Sequence, residues 1–155
     1  MAKDIALLVL RLSGFALAFA HGWRKVTMLT SGNFDNFISG VEALGFPMPA
    51  AFAWAVALVE FAGGLAIALG IVTRIAAAFA AFTMFVAVFL RHKLLLHLTG
   101  WLGAASYPED VVESWGNPEL AATYLLIFVA LVILGGGRFS LDHPMRRKKA
   151  SRRKA

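Results

Sequence analysis

Four apolar runs separated by short polar segments limit what this chain can fold into. They cover residues 5–22, 50–72, 75–90 and 120–134. A membrane-spanning helix needs about 20 mostly apolar residues, so the first, third and fourth runs are expected to continue as helix a few residues past these limits. Only Thr73 and Arg74 separate the second run from the third, which predicts an antiparallel hairpin. Composition agrees. The 155 residues are 59% hydrophobic and 15% charged, against about 45–50% and about 25% in soluble domains. A water-facing fold of this size has too small a core to hide that much apolar surface. The fold class expected is all-α: an integral membrane bundle of four antiparallel helices over 1–142, followed by a basic cytoplasmic tail over 143–155. The Ala18-Phe19-Ala20 triplet fits a signal-peptide cleavage pattern, but Asp4 and Arg11 interrupt the segment before it. The first run is therefore expected to stay as a span.

The chain has no cysteine, which excludes disulfides, thiolate metal sites and cysteine-held iron–sulfur clusters within it. Charge is unevenly placed. Residues 138–155 hold eight Lys/Arg and one acid, whereas the preceding 137 hold seven Lys/Arg and eight acids. The net charge of +6 thus describes a tail, not a basic domain. Next to a membrane span, such a tail acts as a topology signal resting on anionic lipid, and nucleic acid is not an expected partner. With four spans both termini share one side. Lys3, Arg74 and the tail put ten cationic residues there, against Arg24, Lys25, Arg91 and Lys93 on the other. Both termini are therefore expected in the cytoplasm, with Arg74 as a topology residue, and 23–49 and 91–119 as outward lids in the interface.

Charges at membrane depth cost about 2.5–3.5 kcal/mol each on insertion scales, so each needs a reason. Arg11 lies about 9 Å into the first helix and Glu60 about 16 Å from the same side, counted by helical rise. A gap of about 7 Å is within reach of an extended arginine, so an Arg11–Glu60 ion pair is expected. That pair serves either as a register pin or as a proton-handling site built on Glu60. Arg11, Gly14, Ala18, His21 and Lys25 share one face of the first helix; Ala53, Ala57, Glu60 and Gly64 share one of the second. Small residues on both let the backbones approach. Phe79, Phe82, Phe85 and Phe89 form an aromatic stripe on the third, expected for packing or lipid contact. His21 and His92 lie at matched depths, about 24 and 26 Å along their helices, close to the outer surface. No third ligand accompanies them, and a cationic rim opposes a divalent ion, so no metal site is expected. Trp23, Arg24 and the two histidines can instead hold an oxygen-rich headgroup such as a quinone, a lipid or an anion.

Five short motifs add a family resemblance. Arg11-Leu12 and His21-Gly22-Trp23-Arg24-Lys25 are similar to the R-L…H-G-W-x-K opening of the DoxX family. Val59-Glu60-Phe61-Ala62-Gly63-Gly64 followed by Leu69-Gly70-Ile71-Val72-Thr73-Arg74 resembles its V-E-x-x-G-G…L-G-x-x-T-R. The ending Gly135-Gly136-Gly137-Arg138-Phe139-Ser140-Leu141-Asp142 resembles its G-x-G-R-x-S-L-D close. The likeness covers about residues 5–142. It implies a small four-helix protein of the bacterial inner membrane, some of whose relatives form or resemble the membrane subunit of thiosulfate:quinone oxidoreductase. It also carries Arg11, His21, Glu60, Arg74 and His92 over as functional positions.

Two functions remain open at this stage. In the first, the chain is a quinone-linked redox subunit, with His21 and Glu60 as the catalytic proton-handling groups and His21, Trp23, Arg24 and His92 binding the ring. Quinone is then the one small-molecule cofactor, held without a covalent bond, and electrons pass through a partner enzyme, since no flavin or nucleotide fingerprint is present. In the second, the chain is a non-catalytic scaffold for a redox or stress-response enzyme. Membrane lipid, a redox partner subunit and further copies of the chain are the partners that fit. The topology predicts that a reporter fused after Ala155 is active only when its activity belongs to the cytoplasm; a fusion active only outside would overturn the orientation.

Overall fold

The computed structural model describes residues 1–144, and all the secondary structure among them is helical. The basic run that starts at Met145 lies outside the described residues. Four helices are long and apolar enough to cross a membrane: Ala2–Met28, Pro49–Leu69, Thr73–Arg91 and Glu109–Leu134. They are called here the first to fourth spans. In the last, the backbone breaks at 116–118, where Gly116 has φ 67°, so the continuous helix is Glu119–Leu134. Its 16 residues rise only about 24 Å.

The first span differs most from expectation. It continues as helix to Ser31 and ends at Gly32, in the left-handed conformation at φ 74°. Gly22 does not end it, because that glycine serves a contact. A Cβ there would lie 2.5 Å from the backbone nitrogen of Phe61, so the missing side chain lets the second span pass. Arg24 and Lys25 consequently sit on a helix and not in a loop. Lower down, Gly14 and Gly64 cross in the same way, each placing a would-be Cβ under 3 Å from the other's carbonyl oxygen. The third and fourth spans pack through a different device. Ala76, Ala77, Ala80 and Ala81 form a buried small-residue face on the third, against which Phe128 and Leu131 of the fourth are fully buried. The phenylalanine stripe points away, with Phe79, Phe82 and Phe85 exposed, as lipid contact requires.

The lid segments are partly helical. Phe34–Glu42 buries Phe34 and Val41 against Ala53 and Ala57 of the second span. Leu94–Trp101 and Glu109–Trp115 form the second lid.

At the end of the bundle that carries Met1 and residues 135–144, one network ties the spans together. Arg11 is only 2% exposed. Its Nε donates to the Ile67 carbonyl at 3.1 Å, Nη2 to Ala68 at 2.8 Å and Nη1 to Gly136 at 3.0 Å. The expected Arg11–Glu60 pair does not form. Ile67 and Ala68 lie in the last turn of the second span, where carbonyls are short of helical partners (Ile67 accepts only from the Gly70 amide, at 3.1 Å) and carry the negative end of the helix dipole. Those acceptors lie at the depth of Arg11 itself, so the guanidinium turns to them and away from Glu60. Gly70 closes that span with φ 74°, and a Cβ there would strike both Ser140 and the Arg11 guanidinium carbon. Asp142 then caps the third span from the far end of the chain. Its carboxylate accepts from the Val72 and Thr73 amides at 2.7 and 2.8 Å and from the Thr73 hydroxyl at 2.7 Å. Arg74, the expected topology residue, donates to the Ile133 carbonyl at 2.9 Å, in the last turn of the fourth span.

Arg11→Met, which keeps the length and removes every donor, should cost several kcal/mol, at about 1–3 kcal/mol for each buried carbonyl left without a partner. Arg11→Lys should recover only part of this, since an ammonium lacks the planar fork. Thermal unfolding in detergent measures it, and a Met variant as stable as the parent would show that the network is dispensable.

Candidate functional site

From the middle of the bundle toward the opposite end, three spans each contain a wide π-helical turn: Leu17–Gly22, Val59–Gly63 and Ala87–Arg91. Such a turn accommodates an extra residue and re-aims the side chains it carries. His21 and Glu60 lie within two of them, and Arg91 ends the third. Glu60 is nine residues from the end of its span at Leu69, or about 14 Å, close to the middle of a hydrocarbon layer about 30 Å thick.

Glu60 is buried and accepts a hydrogen bond on Oε2 from Lys25 Nζ. The same ammonium lies over the Phe37 ring of the lid helix, 5.1 Å from its centroid. The intramembrane carboxylate is therefore paired with an amine from its own end of the bundle. Lys25 is available only because the first span runs past Gly22, and it points inward because it shares the face that carries Gly14, Ala18 and His21.

The pair forms part of the wall of a cavity of about 460 Å³ between the first two spans and the last two. His21 and Tyr124 line it as well, their rings edge to face at 6.1 Å. Neither the His21 ring nitrogens nor the Tyr124 hydroxyl has a hydrogen-bond partner among the described residues. Their capacity to donate and accept therefore faces the cavity. Most of the remaining wall is apolar, including Leu17, Val56 and Met84. This is the composition of a small-molecule site: an apolar enclosure with a few convergent polar groups.

Other expected site residues are placed differently. His92 lines the cavity, but its Nδ1 lies 2.8 Å from the Trp115 carbonyl and must donate there, since a carbonyl only accepts. His97 Nε2 holds the Gly116 carbonyl at 3.1 Å, and Arg91 Nη1 donates to Ser114 and Trp115 carbonyls at 3.1 and 3.3 Å. These three side chains clamp the break within the fourth span, where Glu109–Trp115 gives way to the continuous helix Glu119–Leu134, so His92 is a rim residue that anchors a lid. Trp23 is half exposed and packs on Phe61 at 5.8 Å, on the outside of the span pair. Arg24 is exposed and does not line the cavity. Trp23, two residues on, is turned about 200° from His21; Arg24, three residues on, is only about 60° away, but its exposed side chain lies outside the wall. Lys25 was expected on the shared face and at the rim, but not as the partner of Glu60, and Tyr124 is a polar wall residue that sequence reasoning missed. The arc shared with His21 marks the first; the second is one of only two tyrosines and sits within an otherwise apolar run.

Breaking a buried ion pair costs about 3–5 kcal/mol when one charge is left behind, far more than replacing both partners with apolar groups. Lys25→Met and Glu60→Leu should each destabilise strongly in detergent unfolding, and the double variant should regain most of the loss. Single variants no less stable than the double would dissolve the pair as a coupled unit.

The sequence pattern of the DoxX family matches residues 6–93, a stretch that includes the Arg11 network's first half, His21, Lys25, Glu60 and His92. The chain is 27% identical over 146 residues to inner membrane protein YqjF of Escherichia coli (strain K12), covering 94% of this chain and 96% of the relative. It is 30% identical over 142 residues to inner membrane protein YphA of the same organism, covering 91% of each. No solved structure gives a significant match. With the family pattern over more than half its length, and these relatives matched nearly end to end, the chain belongs to the DoxX family.

Proposed function

We propose that this is a bacterial inner-membrane protein that binds a quinone-type headgroup between its two span pairs, as the membrane subunit of a redox system. The location follows the names of the two relatives, and the outward-facing orientation of the cavity follows the charge asymmetry of the loops. One observation carries the functional reading. A buried Lys25–Glu60 pair, His21 and Tyr124 converge on one apolar cavity of about 460 Å³ within the membrane-spanning part.

The chemistry of those groups fits a ring with oxygens at two ends. A carbonyl oxygen accepts from the Tyr124 hydroxyl, from a His21 N–H or from one of the two Lys25 N–H groups that Glu60 does not use. Apolar walls suit the ring, and exclusion of water strengthens each of these bonds. Oxidation of a quinol releases two protons with its two electrons. His21 can take a proton at its free ring nitrogen and release it toward the lid end; Glu60 can take one when its bond to Lys25 lengthens. The electrons pass to a partner subunit, docked on the lid side in this reading. The Arg11 and Asp142 networks take no part in the reaction.

Protein purified from its native membrane should carry quinone that solvent extraction and absorbance detect. Tyr124→Phe and His21→Ala should each weaken decylubiquinone binding about tenfold, the loss expected for one hydrogen bond of about 1.4 kcal/mol. If the folded parent neither carries quinone nor binds decylubiquinone, the scaffold reading replaces this one: the Lys25–Glu60 pair would then be a register pin and the lids a docking face.

A further inference from the structure

The two span pairs are not parallel partners along their whole length. Near the termini all four spans meet, through the Arg11 network and the Gly14–Gly64 crossing. Toward the lids they separate. The outer half of the second span, Pro49–Leu58, packs chiefly on the lid helix Phe34–Glu42 and not on the third span. Two sideways gaps result, one between the first and fourth spans and one between the second and third. His21 against Tyr124 closes the first of these. Val56 and Val86, each thirteen residues from the end of its span that meets the 70–72 turn, lie at matched height beside the second, and both line the cavity.

Phe82 identifies that second gap as an opening. Phe82 borders the cavity and is nevertheless 56% exposed, so this residue stands at an edge between the cavity and the outer surface of the bundle. It lies nine residues into a span that starts at Thr73, about 14 Å deep. That is the depth of acyl chains, not of headgroups or water. Glu60 lies at the same height, where Val59–Gly63 packs on the third span; the gap opens just beyond that contact, on the lid side, so a molecule entering there meets the polar end of the cavity.

We propose that the cavity is entered sideways from the bilayer, between the second and third spans, by a ligand whose long hydrocarbon tail stays in the gap between Val56 and Val86. This rests on the quinone reading for the headgroup, and extends it by fixing the ligand class as tail-bearing and lipid-dissolved and by naming its route. A tail has apolar contacts on both sides of the gap, while a tail-free headgroup gains nothing there.

The absence of native cysteine makes the test clean. In phosphatidylethanolamine/phosphatidylglycerol nanodiscs, a spin label on Val86→Cys should be relaxed more by dissolved oxygen than by a water-soluble nickel chelate, and a label on Leu120→Cys, at the water-side end of the fourth span, the reverse. Narrowing the gap with Val56→Trp should lower affinity for decylubiquinone at least tenfold more than affinity for the tail-free ubiquinone ring. If the Val86 label meets only the aqueous reagent, or Val56→Trp affects both ligands alike, the sideways route is wrong even where quinone binds. If the Val86 label is lipid-exposed but neither quinone binds the parent protein, the portal stands and the quinone reading falls.

Discussion

A helix that ends inside or at the edge of a membrane leaves carbonyls that no solvent can satisfy. In this bundle one guanidinium meets the largest share of that demand, with Arg74 and the Leu141 and Asp142 amides meeting more of it. Arg11 bridges the closing turn of the second span and the glycine segment after the fourth, with three donors on three carbonyls. Everything else at the terminal end is arranged around it. Gly70 and Gly136 lack side chains that would strike Ser140, Thr73 or the guanidinium itself, and Asp142 caps the third span beside it. Because this end is tied so firmly, the other can separate without the bundle coming apart, and the cavity exists in that separation.

The family motifs divide along the same line. Arg11, the Leu69–Arg74 stretch and the Gly135–Asp142 stretch, though scattered through the sequence, all belong to the closed end. The His21–Lys25 and Val59–Gly64 stretches build the open end: Gly22 lets the second span approach, Glu60 and Lys25 pair, and His21 turns to Tyr124. Three motifs therefore report on architecture and two on the site. The expected Arg11–Glu60 pair fails because the two charges belong to different polar clusters, Arg11 with the carbonyls of the closed end and Glu60 with Lys25.

Four spans and an antiparallel hairpin are legible in the sequence because apolar length is an additive property that needs no partner. The end of the first span is not, because a glycine reads alike whether it stops a helix or admits a neighbour, and Gly22 does the second. The partner of Arg11 was misjudged for a related reason. Helical rise gives its depth but not the direction of its side chain, and the competing carbonyls of Ile67 and Ala68 have no signature in residue type. His21 and Glu60 were identifiable from depth and phase; Tyr124 as their neighbour was not, since it depends on how the first and fourth spans face each other. The three π turns have no sequence pattern that marks them.

The cap on the third span has a bearing on assembly. Val72 stands in the left-handed region with φ 42°, a conformation that a β-branched residue adopts only when its surroundings compel it. The group that holds its amide, Asp142, lies 70 residues later in the chain. Likewise, the third donor of Arg11 reaches a carbonyl 125 residues away. During synthesis the hairpin can insert early, but its turn cannot settle until the segment after the fourth span has emerged. The last residues of the membrane domain are thus the clasp that finishes it, and an incomplete chain would present an unfastened bundle, with a buried arginine short of an acceptor, to whatever machinery inspects new membrane proteins.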